Sequence, residues 1–262
     1  MAGVPHFLVD VLDPVESFNV VRFQEMAKVA MEDIYAKGKI PIIVGGTGFY
    51  IQAILNDIKF DENPQSNEIR DGLEQLLAEK GEEHLHQELM NKDPRAAAEI
   101  HPHNSKRVIR ALEYFEQTGQ KISEHNREQR EKTSPYNFAY FVLNDKRENL
   151  YARIDERVDV MIEAGLVDEV QGLYNQGYTK DMVSMQGLGY KEMLEYLDSE
   201  CTLDEAIYKI KRDTRHFAKR QITWFKRERD VVWVNKDEFD YDDKEILKYM
   251  LEVCQERRLE CM

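Results

Sequence analysis

The pattern of hydrophobic and polar positions predicts an α/β core whose continuity is interrupted by a helical region. Short apolar runs at residues 4–12, 39–44, 138–143 and 231–234 have the length and composition of strands in a parallel sheet. Apolar residues at helical spacing follow them, as in residues 17–37, with Gly38 as the expected residue after the helix, and in residues 49–55. This order of strand and helix predicts an α/β fold built on a parallel sheet.

The strand pattern is absent between residues 59 and 135. This stretch is charged and helical, and Pro and Gly residues divide it into short pieces. We predict that residues 59–135 form a helical insertion domain, and that residues 1–58 and 136–262 form the core.

Charge and cysteine content narrow the class of protein. The 262 residues carry a net charge of -14, which argues against a protein that coats nucleic acid indiscriminately, because phosphates would be repelled outside a local basic patch. The three cysteines form no CxxC pair, so we expect a reducing compartment and predict a cytoplasmic location. No apolar run approaches the roughly 20 residues of a membrane span, so no membrane partner is predicted.

One segment contrasts with this acidic background. Residues 209–229 contain nine Lys or Arg and two acidic residues, and Lys211, Arg215 and Lys219 are spaced to share one helix face. Apolar residues such as Ile210 and Phe225 lie on the other face, so one face is predicted to pack and the other to bind a polyanion. The alternative is that acidic neighbours neutralise the basic face.

Two shorter motifs are ambiguous when each is taken alone. Gly45-Gly46-Thr47-Gly48 follows a predicted strand, where a substrate could approach the backbone, but it equally fits a tight turn and is not a Walker A loop. Residues 106–110 form a second basic cluster that could clamp phosphates or pair with Glu113 and Glu116. The histidines at 84, 86, 101 and 103 lack the spacing of a metal site, so no protein metal ligands are predicted.

Several segments together resemble the tRNA dimethylallyltransferase (tRNA isopentenyltransferase) family. The segments are GVPHFLVDVLDP at 3–14, IPIIVGGTGFYI at 40–51, RALEYFEQTG at 110–119, QGLGYKEM at 186–193 and TRHFAKRQITWF at 214–225. Their order and spacing match the family along almost the whole chain. The combination of GGTGxY with TRxxAKRQxTWF is specific to that family.

The resemblance implies a P-loop NTPase-like core, of the nucleotide- and ATP-binding type, with a helical insertion. It implies transfer of a dimethylallyl group from dimethylallyl diphosphate to N6 of the adenosine 3′ to the tRNA anticodon, without ATP hydrolysis. Mg²⁺ would accompany the diphosphate, and we expect a monomer. In the family the adenosine is flipped out of the anticodon loop into a channel, as chemistry on a base requires.

The resemblance also assigns site residues. Thr47 matches the threonine that lines the channel and touches the adenosine, and Arg70 matches an arginine that contacts tRNA. Arg153 and Arg157 are candidates for binding the diphosphate. The tRNA-contacting segments of the family correspond to Lys106, Arg107, Val108, Ile109, Arg110, Gln186, Gly187, Leu188, Gly189, Tyr190, Lys191, Thr214, Arg215, Lys219, Arg220 and Gln221.

The chain departs from the family pattern at its start. The family begins with a GPTAxGK[ST] loop that cradles the diphosphate and an Asp-Ser segment that carries the general base, and Met1 aligns after both. We expect a part of a longer enzyme. The alternatives are a fragment that binds tRNA without transferring the prenyl group, and a kinase-like phosphotransferase on the same core.

Overall fold

The computed structural model describes residues 3–60 and 67–259. Contacts within the chain divide it into two compact units. The first, here called the core unit, comprises Met1–Ile54 and Tyr136–Met262, and the second, the helical unit, comprises Leu55–Pro135. The sequence placed the corresponding boundaries after residues 58 and 135.

The core unit is mostly helical around a small parallel sheet. Its elements in chain order are α1 (Val20–Ala36), α2 (Gly48–Leu55), β1 (Tyr140–Asn144), α7 (Arg147–Glu163), α8 (Leu166–Asn175), a 3₁₀ turn (Val183–Gln186), α9 (Tyr190–Leu197), α10 (Leu203–Phe225), β2 (Val231–Asn235), a second 3₁₀ turn (Lys236–Phe239) and α11 (Asp243–Glu256). Gly38 follows α1 with a φ of 66°, the left-handed conformation expected after a helix. This α/β organisation agrees with the coarse fold predicted from the sequence.

Only two of the four predicted strands form within residues 3–60 and 67–259. β1 and β2 pair in parallel, with Tyr140 opposite Val231 and Asn144 opposite Asn235. The predictions of strands at residues 4–12 and 39–44 were wrong, because these segments lack the hydrogen-bonded neighbour that makes an extended segment a strand. Ile42 is 83% exposed and Val44 is 89% exposed, so the apolar run at 39–44 is not buried as its composition predicts.

The hydrophobic core of this unit lies between α7, α8, α9 and α10. Apolar side chains from all four helices pack there, and the most deeply buried residues of this cluster are Val170, Met185 of the first 3₁₀ turn, Met193, Leu194, Ala206 and Ile210. Thr202 and Glu205 form a capping box at the start of α10, each satisfying a backbone or side-chain group of the other. The apolar face of α10 is therefore held in this core, and the capping box closes the first turn of the helix.

The helical unit is built from α3 (Asn67–Lys92), α4 (Pro94–Glu99), α5 (Ser105–Thr118) and α6 (Ile122–Glu131). α3 bends at Gly81, whose φ of 81° is outside the helical region. The core of the helical unit contains side chains of α3, α4 and α5, including Leu85, Leu89, Ala97, Val108, Ile109 and Leu112. None of the helices in the parts of the chain described combines the length and apolar character that crossing a membrane requires.

Candidate functional site

The loop Gly45–Gly48 packs against the last turns of α10. A Cβ atom placed on Gly46 would lie 2.0 Å from Nε2 of Gln221, and one placed on Gly48 would lie 2.1 Å from Cδ1 of Trp224. Real Cβ atoms do not approach other heavy atoms this closely, so a side chain at Gly46 would have to displace the end of Gln221, and one at Gly48 would have to displace the Trp224 ring. Two motifs from opposite ends of the sequence, GGTG and RQITW, therefore meet in the core unit.

Thr47 lies in the middle of this loop, at the start of α2. Its carbonyl accepts hydrogen bonds from the backbone N–H groups of Tyr50 (2.9 Å) and Ile51 (3.3 Å). The residue is exposed, so its backbone is used by the helix while its side chain is accessible. The arrangement does more than turn the chain, because it presents Thr47 beside the basic helix.

The indole ring of Trp224 supports the loop. It packs edge-to-face against Phe49, with 6.3 Å between ring centroids. Its Nε1 is buried without a hydrogen-bond partner among the residues described. A buried unpaired N–H is unfavourable, and the sequence analysis assigned no site role to Trp224.

The basic face of α10 divides into two parts. Nζ of Lys211 lies 2.6 Å from the carboxylate of Asp159, and Arg215 pairs with Asp155, both on α7. Acidic neighbours thus neutralise this part of the face, which is the alternative that the sequence left open. The tRNA contact predicted for Arg215 stays a prediction, but its guanidinium is already engaged.

The C-terminal part of the basic face is different. Lys219 and Arg220 are exposed and make no ion pair among the described residues. The guanidinium of Arg220 lies over the ring of Phe217, 5.7 Å from its centroid. Gln221, which contacts Gly46, follows directly in the chain, so the two unpaired cations lie on the same turns of α10 that pack against the glycine loop.

The segment QGLGYK begins α9. The amide of Gln186 donates to the carbonyl of Lys180 (2.7 Å). Gly189 has a φ of 97°, which favours glycine, and its N–H donates to the buried carboxylate of Glu192 at 2.9 Å. The hydrogen bond from Tyr190 to Glu169, together with burial, raises the pKa of Tyr190 to about 12. Stacking of Tyr190 on a base stays a prediction.

Residues 186–191 are held close to α10 within the core unit. α9 and α10 share the hydrophobic core, and Nζ of Lys209 lies 2.7 Å from the carboxylate of Glu195. Lys191 also contributes to lowering the pKa of Asp213, after the larger effects of Arg212. Two predicted contact segments of this unit therefore lie next to α10. Residues 186–191 approach it near Asp213, and the loop that contains Thr47 approaches it near Gln221.

One cavity of the core unit has a largely apolar lining that also contains five acidic residues and no basic one. It has a volume of about 610 Å³ and lies between the N-terminal segment and α8 and α9. Asp10, Asp13, Glu16, Asp168 and Glu169 line it. Such a lining repels phosphate, so this cavity is not a candidate for the diphosphate.

The predicted diphosphate ligands lie on α7. Arg153 is 3.9 Å from the carboxylate of Asp145 and is largely exposed, and Arg157 is also exposed. Asp155 and Asp159 face α10, and each helical residue advances by about 100°. Arg153 and Arg157 therefore point away from α10, and their role in binding diphosphate stays a prediction.

The basic cluster of the helical unit includes Arg70 on α3 and three residues of α5. Lys106, Arg107 and Arg110 are exposed, as a phosphate-binding surface requires. Val108 and Ile109 are buried in the core of this unit, so their side chains are not part of its surface, and the prediction that these two residues contact tRNA stays a prediction. Helical periodicity decides this difference, because adjacent residues of one helix cannot all face the same side.

A buried carboxylate organises this cluster. Glu113 is 1% exposed, and its Oε2 accepts a hydrogen bond from Nη1 of Arg110 at 3.2 Å. Nη1 of Arg70 lies 3.7 Å from the same oxygen. Sequence reasoning treated Glu113 as a surface partner, although its position four residues after the buried Ile109 was a signal of a charge on the packed face.

Among the residues described, no group of three His, Cys, Asp or Glu side chains could hold a metal ion. No protein ligand for Mg²⁺ is therefore assigned from the geometry.

Comparisons with known proteins agree with the motif analysis. A family model described as IPP transferase matches residues 1–228. The tRNA dimethylallyltransferase of Lachnoclostridium phytofermentans is 56% identical over 259 residues, which cover 99% of this chain and 82% of that protein. The match does not confirm the prediction that a P-loop segment is missing.

Two solved structures have folds similar to that of this chain. The full-length tRNA isopentenylpyrophosphate transferase from Bacillus halodurans has a TM-score of 0.69 at 41% identity, covering 98% of this chain and 80% of that one. A eukaryotic dimethylallyltransferase, solved in crystallographic snapshots acting on tRNA, has a TM-score of 0.74 at 32% identity, covering 89% of this chain and 60% of that one. These structures support the mostly helical α/β fold, whereas a P-loop core is not confirmed.

Proposed function

The chain belongs to the IPP transferase family, and we propose from this premise that it transfers a dimethylallyl group from dimethylallyl diphosphate to N6 of the adenosine 3′ to a tRNA anticodon. The relatives described above are named tRNA dimethylallyltransferase and tRNA isopentenylpyrophosphate transferase. The observation that carries the proposal to this chain is the contact of Gly46 and Gly48 with Gln221 and Trp224. This contact brings the loop that carries the exposed Thr47 against the last turns of α10, the helix that also carries Lys219 and Arg220.

The site separates two tasks. Lys219 and Arg220 supply the positive charge that attracts and orients an RNA backbone, because phosphate contacts fix register without reading sequence. The hydroxyl of Thr47, on an exposed loop, is available for a hydrogen bond to a base that has been flipped out of the anticodon loop. In this proposal the two cations position the RNA backbone, and the loop that carries Thr47 contacts the reacting nucleotide.

The reaction itself is a displacement. N6 of adenine attacks the allylic carbon that carries the diphosphate, a C–N bond forms, and the C–O bond to diphosphate breaks. The diphosphate leaves with the bonding electrons, and N6 releases one proton. Positioning of the two substrates supplies much of the rate acceleration in a transfer of this kind.

The diphosphate and Mg²⁺ belong to the same proposal. Mg²⁺ would enter with the diphosphate, since this ion is often held mainly by substrate phosphates and water. Arg153 and Arg157 are exposed cations that could neutralise the leaving group. A P-loop core and a cytoplasmic site of action are proposed from the family alone.

A transfer assay tests the function directly. The chain is incubated with labelled dimethylallyl diphosphate, Mg²⁺ and an anticodon stem-loop, and prenylated adenosine is measured by mass spectrometry. Product is expected, and omission of the stem-loop should abolish it. Binding without product would favour the non-catalytic fragment, and phosphoryl transfer from ATP that ignores the RNA would favour the kinase-like alternative.

Replacement of Lys219 tests the phosphate contact. Lys219→Ala should weaken stem-loop binding and reduce the slope of log K against log salt by about 1, because one fewer counterion is released. Lys211→Ala is the matched control, since Lys211 is already paired with Asp159. An unchanged slope for Lys219→Ala, or an equal change in both variants, contradicts the assigned role.

A further inference from the structure

The arrangement around Glu113 in the helical unit has no place in the function proposed so far. A carboxylate that is 1% exposed is costly to bury unless cations and hydrogen bonds compensate it. Here the compensation is shared by guanidinium groups from two different helices, Arg70 of α3 and Arg110 of α5, which converge on one oxygen atom. Arg70 is held on a second edge, because its Nε donates to Glu74 at 3.2 Å.

The two guanidinium groups are fixed but not covered. The side chain of Arg70 is 42% exposed and that of Arg110 is 55% exposed. Arginine carries five N–H donors in a planar fork, so a group that contacts a carboxylate with one edge keeps donors for a second anion. Lys106 lies one helical turn before Arg110 and is exposed as well.

We propose that Glu113 is a positioning residue, which orients Arg70 and Arg110 so that their outer N–H groups bind the phosphates of the RNA substrate. This inference rests on the proposed function, since it assigns the helical unit a contact with the same RNA. Long arginine side chains lose rotational freedom when they bind a phosphate, and prior fixation by Glu113 lowers that cost.

The proposal predicts an effect opposite in sign to simple electrostatics. Glu113→Gln removes a negative charge, and charge alone would therefore tighten binding to a polyanion. If Glu113 positions the two arginines, the same substitution weakens binding, because a neutral amide holds guanidinium groups less strongly than a carboxylate does. We expect about 5- to 10-fold weaker stem-loop binding and a smaller salt slope.

Glu116→Gln is the matched control. Glu116 lies on the same helix and pairs with Lys92 rather than with either arginine, so its replacement should leave affinity unchanged or slightly higher. The third arm repeats Glu113→Gln in an Arg70→Ala, Arg110→Ala background, where the substitution should have no further effect. Thermal unfolding of every variant accompanies the binding measurements.

Conservative replacement gives an independent test if Glu113→Gln does not fold. Arg70→Lys with Arg110→Lys keeps both charges and loses the planar fork, and we expect weaker binding with little change in salt slope. Unchanged or tighter binding by Glu113→Gln, or an equal loss in the background without the two arginines, overturns the inference alone when the wild-type chain binds the stem-loop. Failure of the wild-type chain to bind overturns the proposed function as well.

Discussion

Gly48→Ala should lower kcat/KM for dimethylallyl transfer by about 100-fold, because displacement of a reacting group by about 1 Å has an effect of this size. The added Cβ would lie 2.1 Å from Cδ1 and 2.2 Å from Nε1 of Trp224. The indole cannot easily move away, since its ring packs on Phe49. The loop must therefore shift and carry Thr47 with it.

Stability gives a second readout of the same change. Alanine in place of glycine normally favours a helix by about 1 kcal/mol, and Gly48 is the first residue of α2. Here we expect destabilisation of about 1–3 kcal/mol, as is typical of overpacked sites. The sign of the change in unfolding free energy thus distinguishes a steric contact with Trp224 from an open turn.

Neighbouring glycines of the loop provide graded controls. A Cβ on Gly45 would meet nothing within 4 Å, so Gly45→Ala should retain activity. A Cβ on Gly46 meets the end of the Gln221 side chain, which can rotate away, and an intermediate loss is expected. Normal transfer by Gly48→Ala, or an equal loss in Gly45→Ala, contradicts the packing described.

Ile210→Ala should destabilise the core unit by about 2–5 kcal/mol, the usual cost of a cavity left by a large buried aliphatic residue. Ile210 is 1% exposed and packs among α7, α8, α9 and α10. At a temperature where the variant is folded, its salt slope for RNA binding should equal that of the wild type. This outcome would separate the packing face of α10 from its binding face.

Urea unfolding followed by tryptophan fluorescence suits this measurement. The two tryptophans, at 224 and 233, are both in the core unit, so the signal reports on that unit. Tyr208→Ala is the control on the same helix, since Tyr208 is 61% exposed and surface changes usually alter stability by less than about 0.5 kcal/mol. Equal destabilisation by the two substitutions would contradict the assignment of faces.

Local patterns predicted much of the structure. The strands at β1 and β2, the helix before Gly38 and the two-faced character of α10 all follow from residue spacing and turn residues. The motifs GGTG and TRxxAKRQ indicated the family, which the comparisons then supported. These features depend on residues close together in the chain, where periodicity is informative.

Other features depended on neighbours in space, and the strand predicted at residues 39–44 failed for this reason. Residues 39–44 have the composition of a buried strand, but composition does not supply the adjacent strand that would pair with them. Val108 and Ile109 lie within a basic cluster in the sequence, and the helix turns them into the core. In both cases the surroundings decided the outcome, and spacing alone did not specify them.

Residue order alone shows where the positive charge, the glycines and the apolar faces lie along the chain. The tertiary structure decided which charges remain available, because packing of α7 on α10 pairs Lys211 and Arg215 with acids about 50–60 residues away and leaves Lys219 unpaired in the part of the chain described. It also decided that Glu113 is buried beneath two arginines. The physical reason is that ion pairing and burial depend on distances in space, which residue order does not contain.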